Sequence, residues 1–182
     1  MKRIAIIGAG ISGLFIANLF KKNSNYQISI YEKNKSIKLD EGYGIQLSVN
    51  SVKFLNEIQF DRLQNNEKFN PEKINFYSNN IKKKICELNI SDFNSENCKY
   101  TTLKRSVLIN FLKKDLGDLI KIGYEISKID YQNQKIKLSF ENNEIKDCDY
   151  LIISDGVFSK SKRLISNNQT KSKYNNTLAI RG

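Results

Sequence analysis

With 182 residues, of which 40% are hydrophobic, the chain is long enough for one domain with a core, or for one domain and part of another. It has no histidine, which excludes His-based triads and His metal sites, and its three cysteines form no Cys-x-x-Cys pair, which favours reduced thiols in the cytoplasm over a zinc site or disulfides. The net charge of +11 comes almost entirely from lysines spread along the chain, so we expect no nucleic-acid partner, although weak attraction to acidic lipid headgroups is compatible with it.

The first predicted elements are a strand over residues 4–7 and an amphipathic helix that begins near residue 11. Between them lies a Gly-x-Gly-x-x-Gly fingerprint whose residues are Gly8, Ala9, Gly10, Ile11, Ser12 and Gly13. Gly8 allows the tight turn, Gly10 lets the backbone approach a pyrophosphate, and Gly13 lets the helix pack close to the sheet. The unpaired N–H groups of the first helical turn would face the phosphates.

The second predicted strand, residues 27–31, ends at Glu32, which lies 19 positions after Gly13. That spacing is close to the offset of about 20 residues expected for an acid that accepts hydrogen bonds from a ribose. A glycine-rich loop alone is often only a turn, and a glutamate alone is often only a surface charge. Here the strand, loop, helix, second strand and acid agree, and together they predict a dinucleotide-binding βαβ unit.

Helices and short strands continue along the rest of the chain. The pattern first predicts a Gly-rich loop at 40–50, which leads into a helix capped by Ser48 or Asn50, and then a polar connection at 64–72. Strands follow at 74–77, 84–88 and 99–103, then a helix at 104–116, then strands around 124–129 and 136–140 joined by a turn at 133–134. The last predicted elements are an apolar strand at 150–153, of the kind typical of a central parallel strand, a short helix at 159–163 and a linker at 166–177.

Three later segments add to the fingerprint: Gly42–Asn50 (Gly-Tyr-Gly-Ile-Gln-Leu-Ser-Val-Asn), Arg105 followed by Leu108 and Leu112, and Asp149–Ser159 with its Asp155-Gly156 pair and the following Arg163. In order and approximate spacing, these four segments resemble the single-component FAD-dependent aromatic hydroxylases, which include the para-hydroxybenzoate, salicylate and ubiquinone-pathway enzymes. The resemblance runs from residue 1 to about residue 163. The fingerprint is common to many flavoproteins, whereas an Asp-Gly segment after such a start is far more selective.

The resemblance implies an α/β fold. Residues 1–163 would form a Rossmann-like FAD-binding domain, with a parallel sheet, helices and an antiparallel β meander, and an inserted short-strand segment at about 70–103 would belong to the substrate side. Residues 164–182 would be a linker and the start of a substrate-domain strand. Members of the family are about twice as long, and their second flavin segment, a Gly-Asp motif, lies beyond this length. We therefore expect the chain to be an amino-terminal portion, inactive alone and poorly soluble.

The implied function is that of an oxidoreductase, a flavoprotein monooxygenase that uses FAD, NAD(P)H and O₂ to hydroxylate an aromatic or quinone-precursor ring. The flavin would carry the chemistry, so we expect no catalytic acid, base or metal ligand in this chain. Lys33 stands where the family often places an arginine against the adenine. Gln46 would line the flavin region or satisfy loop backbone, and Arg105, Asp155 and Gly156 would flank the FAD.

Three alternatives remain at this stage. The first is another FAD oxidoreductase of the same fold, such as a geranylgeranyl-reductase-like or halogenase-like protein. The second is a Rossmann protein that binds only NAD, which would account less naturally for the Asp-Gly segment. The third is a non-catalytic dinucleotide-binding module.

Overall fold

The computed structural model describes residues 1–37, 39, 44–132, 134–166 and 175–177. The chain divides into two compact units, Met1–Glu41 with Leu112–Gly182, and Gly42–Phe111. The elements in chain order are β1 (Lys2–Ile7), α1 (Ile11–Lys21), β2 (Tyr26–Glu32), β3 (Gly44–Leu47), α2 (Val49–Asn56), β4 (Lys68–Phe69), β5 (Lys73–Tyr77), β6 (Lys84–Asn89), β7 (Thr101–Lys104), α3 (Arg105–Lys113), β8 (Ile120–Ile122), β9 (Ile126–Gln132), β10 (Lys135–Phe140), β11 (Ile145–Cys148), β12 (Tyr150–Ile153) and α4 (Lys160–Ile165).

The first unit contains a parallel sheet with the strand order β12-β1-β2-β8. Strand β1 is apolar on both faces, and its residues from Ile4 to Ile7 are at most 4% exposed. Helix α1 packs against β1 and β2 and buries Leu14 and Ala17 completely. The predicted strand–helix–strand start of the chain is therefore confirmed, and its hydrophobic pattern is explained by cover on both faces of the sheet.

An antiparallel meander, β9-β10-β11, also belongs to the first unit. It shares a buried cluster with β1 and β2, in which the rings of Tyr31 and Phe140 lie 4.7 Å apart. The sequence predicts β9 and β10 but not β11, whose exposed Ile145 and buried Cys148 give only a weak alternation. The predicted turn residue Asn133 lies outside the described residues, and Gln134 beside it has a φ of 60°.

Strand β12 departs from its sequence prediction. In the described part of the chain it is the outermost strand of the parallel sheet rather than a central one, because it pairs with β1 on one side. Leu151 packs against the buried cluster, whereas Ile153 is 38% exposed. The apolar character of β12 therefore reflects packing of its face, which a continuous apolar run cannot distinguish from a position between two strands.

The second unit contains a three-stranded antiparallel sheet, β3-β7-β4, and a β5-β6 hairpin. The predicted strands at 74–77 and 84–88 are confirmed as β5 and β6, and the predicted cap of α2 is Ser48, whose Oγ accepts from the N–H of Ser51 at 3.4 Å. This unit starts before and ends after the predicted inserted segment at 70–103, so the assignment of that segment to a substrate side stays a prediction. The part of the predicted loop at 40–43 lies outside the described residues, and the part at 44–47 is strand β3.

Candidate functional site

A cleft of about 250 Å³ opens in the first unit beyond the carboxyl ends of β1, β2 and β12. Gly8 follows β1, Glu32 ends β2, and Asp155 follows β12, and all three line this cleft. Neighbouring parallel strands end at the same edge of a sheet, and ligands of open α/β folds bind outside those ends. The structure therefore brings three of the sequence-predicted segments to one place.

Two fingerprint glycines are required by packing. Gly8 has a φ of +102°, and a Cβ there would lie 2.5 Å from the carbonyl oxygen of Ser154. A Cβ on Gly13 would lie 2.0 Å from the carbonyl oxygen of Gly8 and 2.8 Å from Ser154 Oγ. The turn out of β1, the first turn of α1 and the end of β12 are thus in direct contact, as the predicted close packing of helix and sheet requires.

Gly10 is different, because a Cβ there would meet no atom within 4 Å. It is the N-cap of α1, has an extended backbone and supplies no side-chain acceptor to the first turn. The N–H groups of that turn, at Ile11, Ser12 and Gly13, have no partner within the helix. A glycine at Gly10 leaves open space at the positive end of the helix, which is the arrangement that suits a phosphate.

Glu32 lies at the end of β2 with both carboxylate oxygens engaged. Oε2 accepts the backbone N–H of Ala9 at 2.9 Å, and Oε1 accepts the backbone N–H of Asn34 at 3.0 Å and its side-chain Nδ2 at 2.7 Å. The acid is therefore tied to the fingerprint turn, and its predicted contact with a ribose stays a prediction. Lys33 is exposed and contributes to the wall of the cleft, as does Asn34, which the sequence analysis did not identify.

Asp155 contributes a carboxylate with one oxygen bound and one free. Oδ2 accepts the backbone N–H of Ser161 at 3.0 Å, whereas Oδ1 is buried and has no hydrogen-bond partner among the described residues. Burial raises the pKa of Asp155, but the polar groups of Ser159 and Ser161 lower it by more, so the pKa is below its ordinary value. The ionised form of Asp155 is therefore favoured at the wall of the cleft. The adjacent Gly156 has a φ of +84° and also lines the cleft.

The far wall of the cleft holds side chains that the sequence analysis missed. Lys160 Nζ binds Glu125 at 2.9 Å and Glu141 at 2.8 Å, which raises the pKa of Lys160 through both hydrogen bonds and lowers that of Glu125. Tyr124 donates its hydroxyl to Glu144 at 2.6 Å, and this bond raises the pKa of Tyr124. No local motif marks these residues, because they come from three separate parts of the chain: the segment before β9, the turn between β10 and β11, and α4.

Gln46 and Arg105 belong to the second unit. Gln46 is exposed on β3 opposite Thr102, and Arg105 is the first residue of α3 and is partly buried. Their predicted places beside a flavin therefore remain predictions.

The described residues contain no group of three or more His, Cys, Asp or Glu side chains arranged to hold a metal ion. Within the same residues, no helix is both long enough and apolar enough to cross a membrane.

The chain is similar to one family model and to several solved structures. Residues 6–37 match the family model of the NAD(P)-binding Rossmann-like domain, and no curated protein matches the chain. Among solved structures, 2,6-dihydroxypyridine-3-hydroxylase from Arthrobacter nicotinovorans superposes with a TM-score of 0.75 at 15% identity, over 92% of this chain and 40% of that one. HpxO from Klebsiella pneumoniae, complexed with FAD and uric acid, gives 0.73 at 19% identity, over 85% and 39%.

A third neighbour, the tetracycline destructase Tet(55), superposes with a TM-score of 0.67 at 20% identity, over 91% of this chain and 41% of that one. The chain thus spans about 40% of the length of the solved structures that it matches. At these identities the likeness shows the fold. The expected Rossmann-like α/β fold, with a parallel sheet and additional antiparallel sheets, is confirmed.

Proposed function

We propose that this chain is the FAD-binding portion of a flavin-dependent monooxygenase, which uses NAD(P)H and O₂ to hydroxylate an aromatic or quinone-precursor ring. The observation that carries the proposal is the cleft in which the fingerprint turn, Glu32 and Asp155 meet. Its volume is below the range of about 300–1,000 Å³ for complete small-molecule sites, which fits one part of a dinucleotide. The solved neighbours support the same assignment, because they include a dihydroxypyridine hydroxylase and a protein complexed with FAD and uric acid.

The residues present fit a dinucleotide with two phosphates and a ribose. The open space at Gly10 would let the pyrophosphate of the ligand approach the first turn of α1. Glu32 offers a carboxylate to the ribose, and Asp155 places a second carboxylate at the wall of the cleft. Lys33 would contact the adenine, and the predicted roles of Gln46 and Arg105, which belong to the second unit, stay predictions.

In this proposal the chain binds and orients, and FAD when bound supplies the redox chemistry. The α1 amino terminus balances the charge of the phosphates. Glu32 fixes the adenosine end, and the Asp155-Gly156 segment borders the other end of the cleft. Catalysis by the whole protein, its ring substrate, its use of NAD(P)H and its place in the cytoplasm all belong to the proposal.

The test is a titration of the purified 182-residue chain with FAD, followed by visible absorbance and by quenching of flavin fluorescence. We expect binding at micromolar affinity or better, and we expect Glu32→Ala to weaken it by about tenfold or more, since a hydrogen bond to a charged group is worth about 1.5–3 kcal/mol. Asp118→Ala is the control, because it removes a carboxylate of the first unit that is exposed and lies outside the cleft.

The same titration separates the alternatives. Tight binding of NADH with no binding of FAD would favour a Rossmann protein that uses NAD alone, for which the match of residues 6–37 to an NAD(P)-binding domain is the supporting observation. Unchanged FAD affinity in Glu32→Ala would rule out the ribose role of that residue. Bound FAD that is reduced by no pyridine nucleotide in the whole protein would favour a different FAD oxidoreductase of the same fold.

A further inference from the structure

Glu32 is held in place by three N–H donors, and two of them come from Asn34. The backbone N–H and the side-chain Nδ2 of Asn34 both donate to Oε1, at 3.0 and 2.7 Å, while Ala9 N–H donates to Oε2 at 2.9 Å. A carboxylate can only accept hydrogen bonds, so the amide nitrogen of Asn34, and not its oxygen, faces Glu32. Asn34 is partly buried and lines the cleft.

Asn34 is itself anchored from the other side. Its carbonyl oxygen accepts the N–H of Gly123 at 3.0 Å, and the carbonyl oxygen of Glu32 accepts the N–H of Tyr124 at 2.9 Å. The end of β2 is thereby tied to the segment that leads into the meander. The side chain of Asn34 consequently projects from a fixed backbone, and its bond to Glu32 restricts the rotamers of a glutamate that would otherwise be free to turn.

The number of acceptor positions shows how the carboxylate can still serve a ligand. An ionised carboxylate has about four acceptor positions, two on each oxygen. Asn34 fills two on Oε1, and Ala9 fills one on Oε2, which leaves acceptor capacity on Oε2. A ligand hydroxyl can therefore be accepted without breaking any of the three bonds.

We infer that Asn34 is a positioning residue for the dinucleotide, whose amide donor holds the Glu32 side chain oriented so that Oε2 can accept a ribose hydroxyl. The inference rests on the proposed function and adds to it a residue that acts through Glu32 rather than on the ligand. A purely structural role for Asn34, in the bend that follows β2, would need its backbone bonds but not its amide donor.

The experiment uses Asn34→Asp, which keeps the shape of the side chain, removes the donor and places a second carboxyl beside Glu32. Two adjacent carboxylates repel, and at acid pH such a pair shares a proton. The shared proton would restore an O–H donor toward Glu32. FAD affinity is measured for this variant and for the wild-type chain at about pH 8 and about pH 5, and the ratio of the two affinities is taken at each pH, which removes the general effect of pH on binding.

We expect Asn34→Asp to bind FAD about ten- to a hundredfold more weakly than wild type at the higher pH, the equivalent of one lost hydrogen bond to a charged group. At the lower pH the ratio should return to within about threefold. Asn34→Ala should be weaker by about tenfold at both pH values, since it lacks the donor and gains no carboxyl. Asn23→Asp is the matched control: Asn23 Oδ1 accepts the N–H of Asn25 at 2.9 Å, a bond that a carboxylate keeps, so its affinity should equal that of wild type.

Three results would overturn the inference. The first is wild-type affinity in both Asn34 variants at both pH values, whatever their melting temperatures, because it would mean that the donor does not matter. The second is a loss in Asn34→Asp that does not recover on acidification, because it would mean that the effect is not donation to Glu32. The third is a wild-type chain that binds no FAD, which overturns the proposed function and the inference with it, and which is recognisable because it occurs without any substitution.

Discussion

Two glycines of the fingerprint allow folding and ligand binding to be perturbed separately. Gly10→Ala adds a methyl group where no atom lies within 4 Å, on a backbone that alanine adopts readily. Alanine is a poorer N-cap than glycine, which destabilises the fold by about 0.5–1 kcal/mol. It also reduces the conformational entropy of the unfolded chain, which stabilises the fold by about 0.4–1 kcal/mol. The two effects nearly cancel, so the free energy of unfolding should change by less than about 1 kcal/mol.

Gly13→Ala adds the same methyl group in a very different place. Its Cβ would lie 2.0 Å from the carbonyl oxygen of Gly8, a distance that requires α1 to move away from β1. Alanine is favoured over glycine inside a helix by about 1 kcal/mol, but forcing atoms into a packed region costs about 1–3 kcal/mol or more. Because the obstructing atom belongs to the backbone and cannot rotate away, the upper end applies. We expect a net loss of about 2 kcal/mol or more, a fall in melting temperature of roughly 4–8 °C.

We expect Gly10→Ala to weaken FAD binding although it leaves the free energy of unfolding nearly unchanged. The added methyl group would stand between the first turn of α1 and a pyrophosphate, and would weaken its charge-assisted hydrogen bonds, each worth about 1.5–3 kcal/mol. FAD affinity should fall by about tenfold or more while thermal denaturation, followed by circular dichroism, stays near that of wild type. Unchanged FAD affinity would show that the ligand does not pass over Gly10. A loss of more than about 2 kcal/mol of stability in Gly10→Ala, or none in Gly13→Ala, would refute the reasoning from local space.

Two further predictions concern the rest of the first unit. Lys160→Met removes the ion pairs with Glu125 and Glu141, whose side chains are 40–55% exposed. We therefore expect the free energy of unfolding, measured in urea, to fall by about 1 kcal/mol or less, and the difference to shrink in high salt. A larger loss that does not depend on salt concentration would contradict this. Burial raises the pKa of Cys148 to about 11, whereas Cys86 is exposed, so iodoacetamide at about pH 8 should modify Cys86 in the native chain and Cys148 only after unfolding. Rapid alkylation of Cys148 in the native chain would show that it is not buried. The stabilisation that protonated Cys148 contributes should be fully present below the ordinary thiol pKa and should decline as the pH rises toward about 11.

The parts of the fold that sequence predicts best are those in which neighbouring residues decide the structure. The βαβ start has a buried strand, three glycines at fixed offsets and a helical apolar face, and each of these signals favours the same conformation. Helix N-caps are also decided by neighbouring residues: the hydroxyls of Ser48 and Ser159 each accept the N–H of the residue three positions later, at 3.4 and 2.9 Å. Such features need no knowledge of distant segments.

The parts that sequence could not predict depend on long-range pairing. Strand β8 has three residues and exists because Ile120, Lys121 and Ile122 pair with the end of β2. The outer position of β12 is set by which strands lie beside it, and the division into two units is set by contacts between residues far apart in sequence. The candidate site shows the same limit: the glycines and acids that line the cleft are marked by motifs, whereas Asn34 is identified only by its geometry to Glu32.

The two strongest motifs of the sequence prove to be one packing arrangement. Ser154, which precedes the Asp-Gly pair, donates its hydroxyl to the carbonyl of Ile7 at 3.0 Å, and its backbone N–H bonds the same carbonyl at 2.9 Å. Its own carbonyl oxygen is the atom that excludes a Cβ at Gly8, and its Oγ is one of the atoms that exclude a Cβ at Gly13. The fingerprint turn can therefore keep its shape only while the end of β12 stays in place. Because Asp155 is the next residue, a displacement of the fingerprint would also move the carboxylate of Asp155 in the same cleft, and we expect the two segments to form and to unfold together.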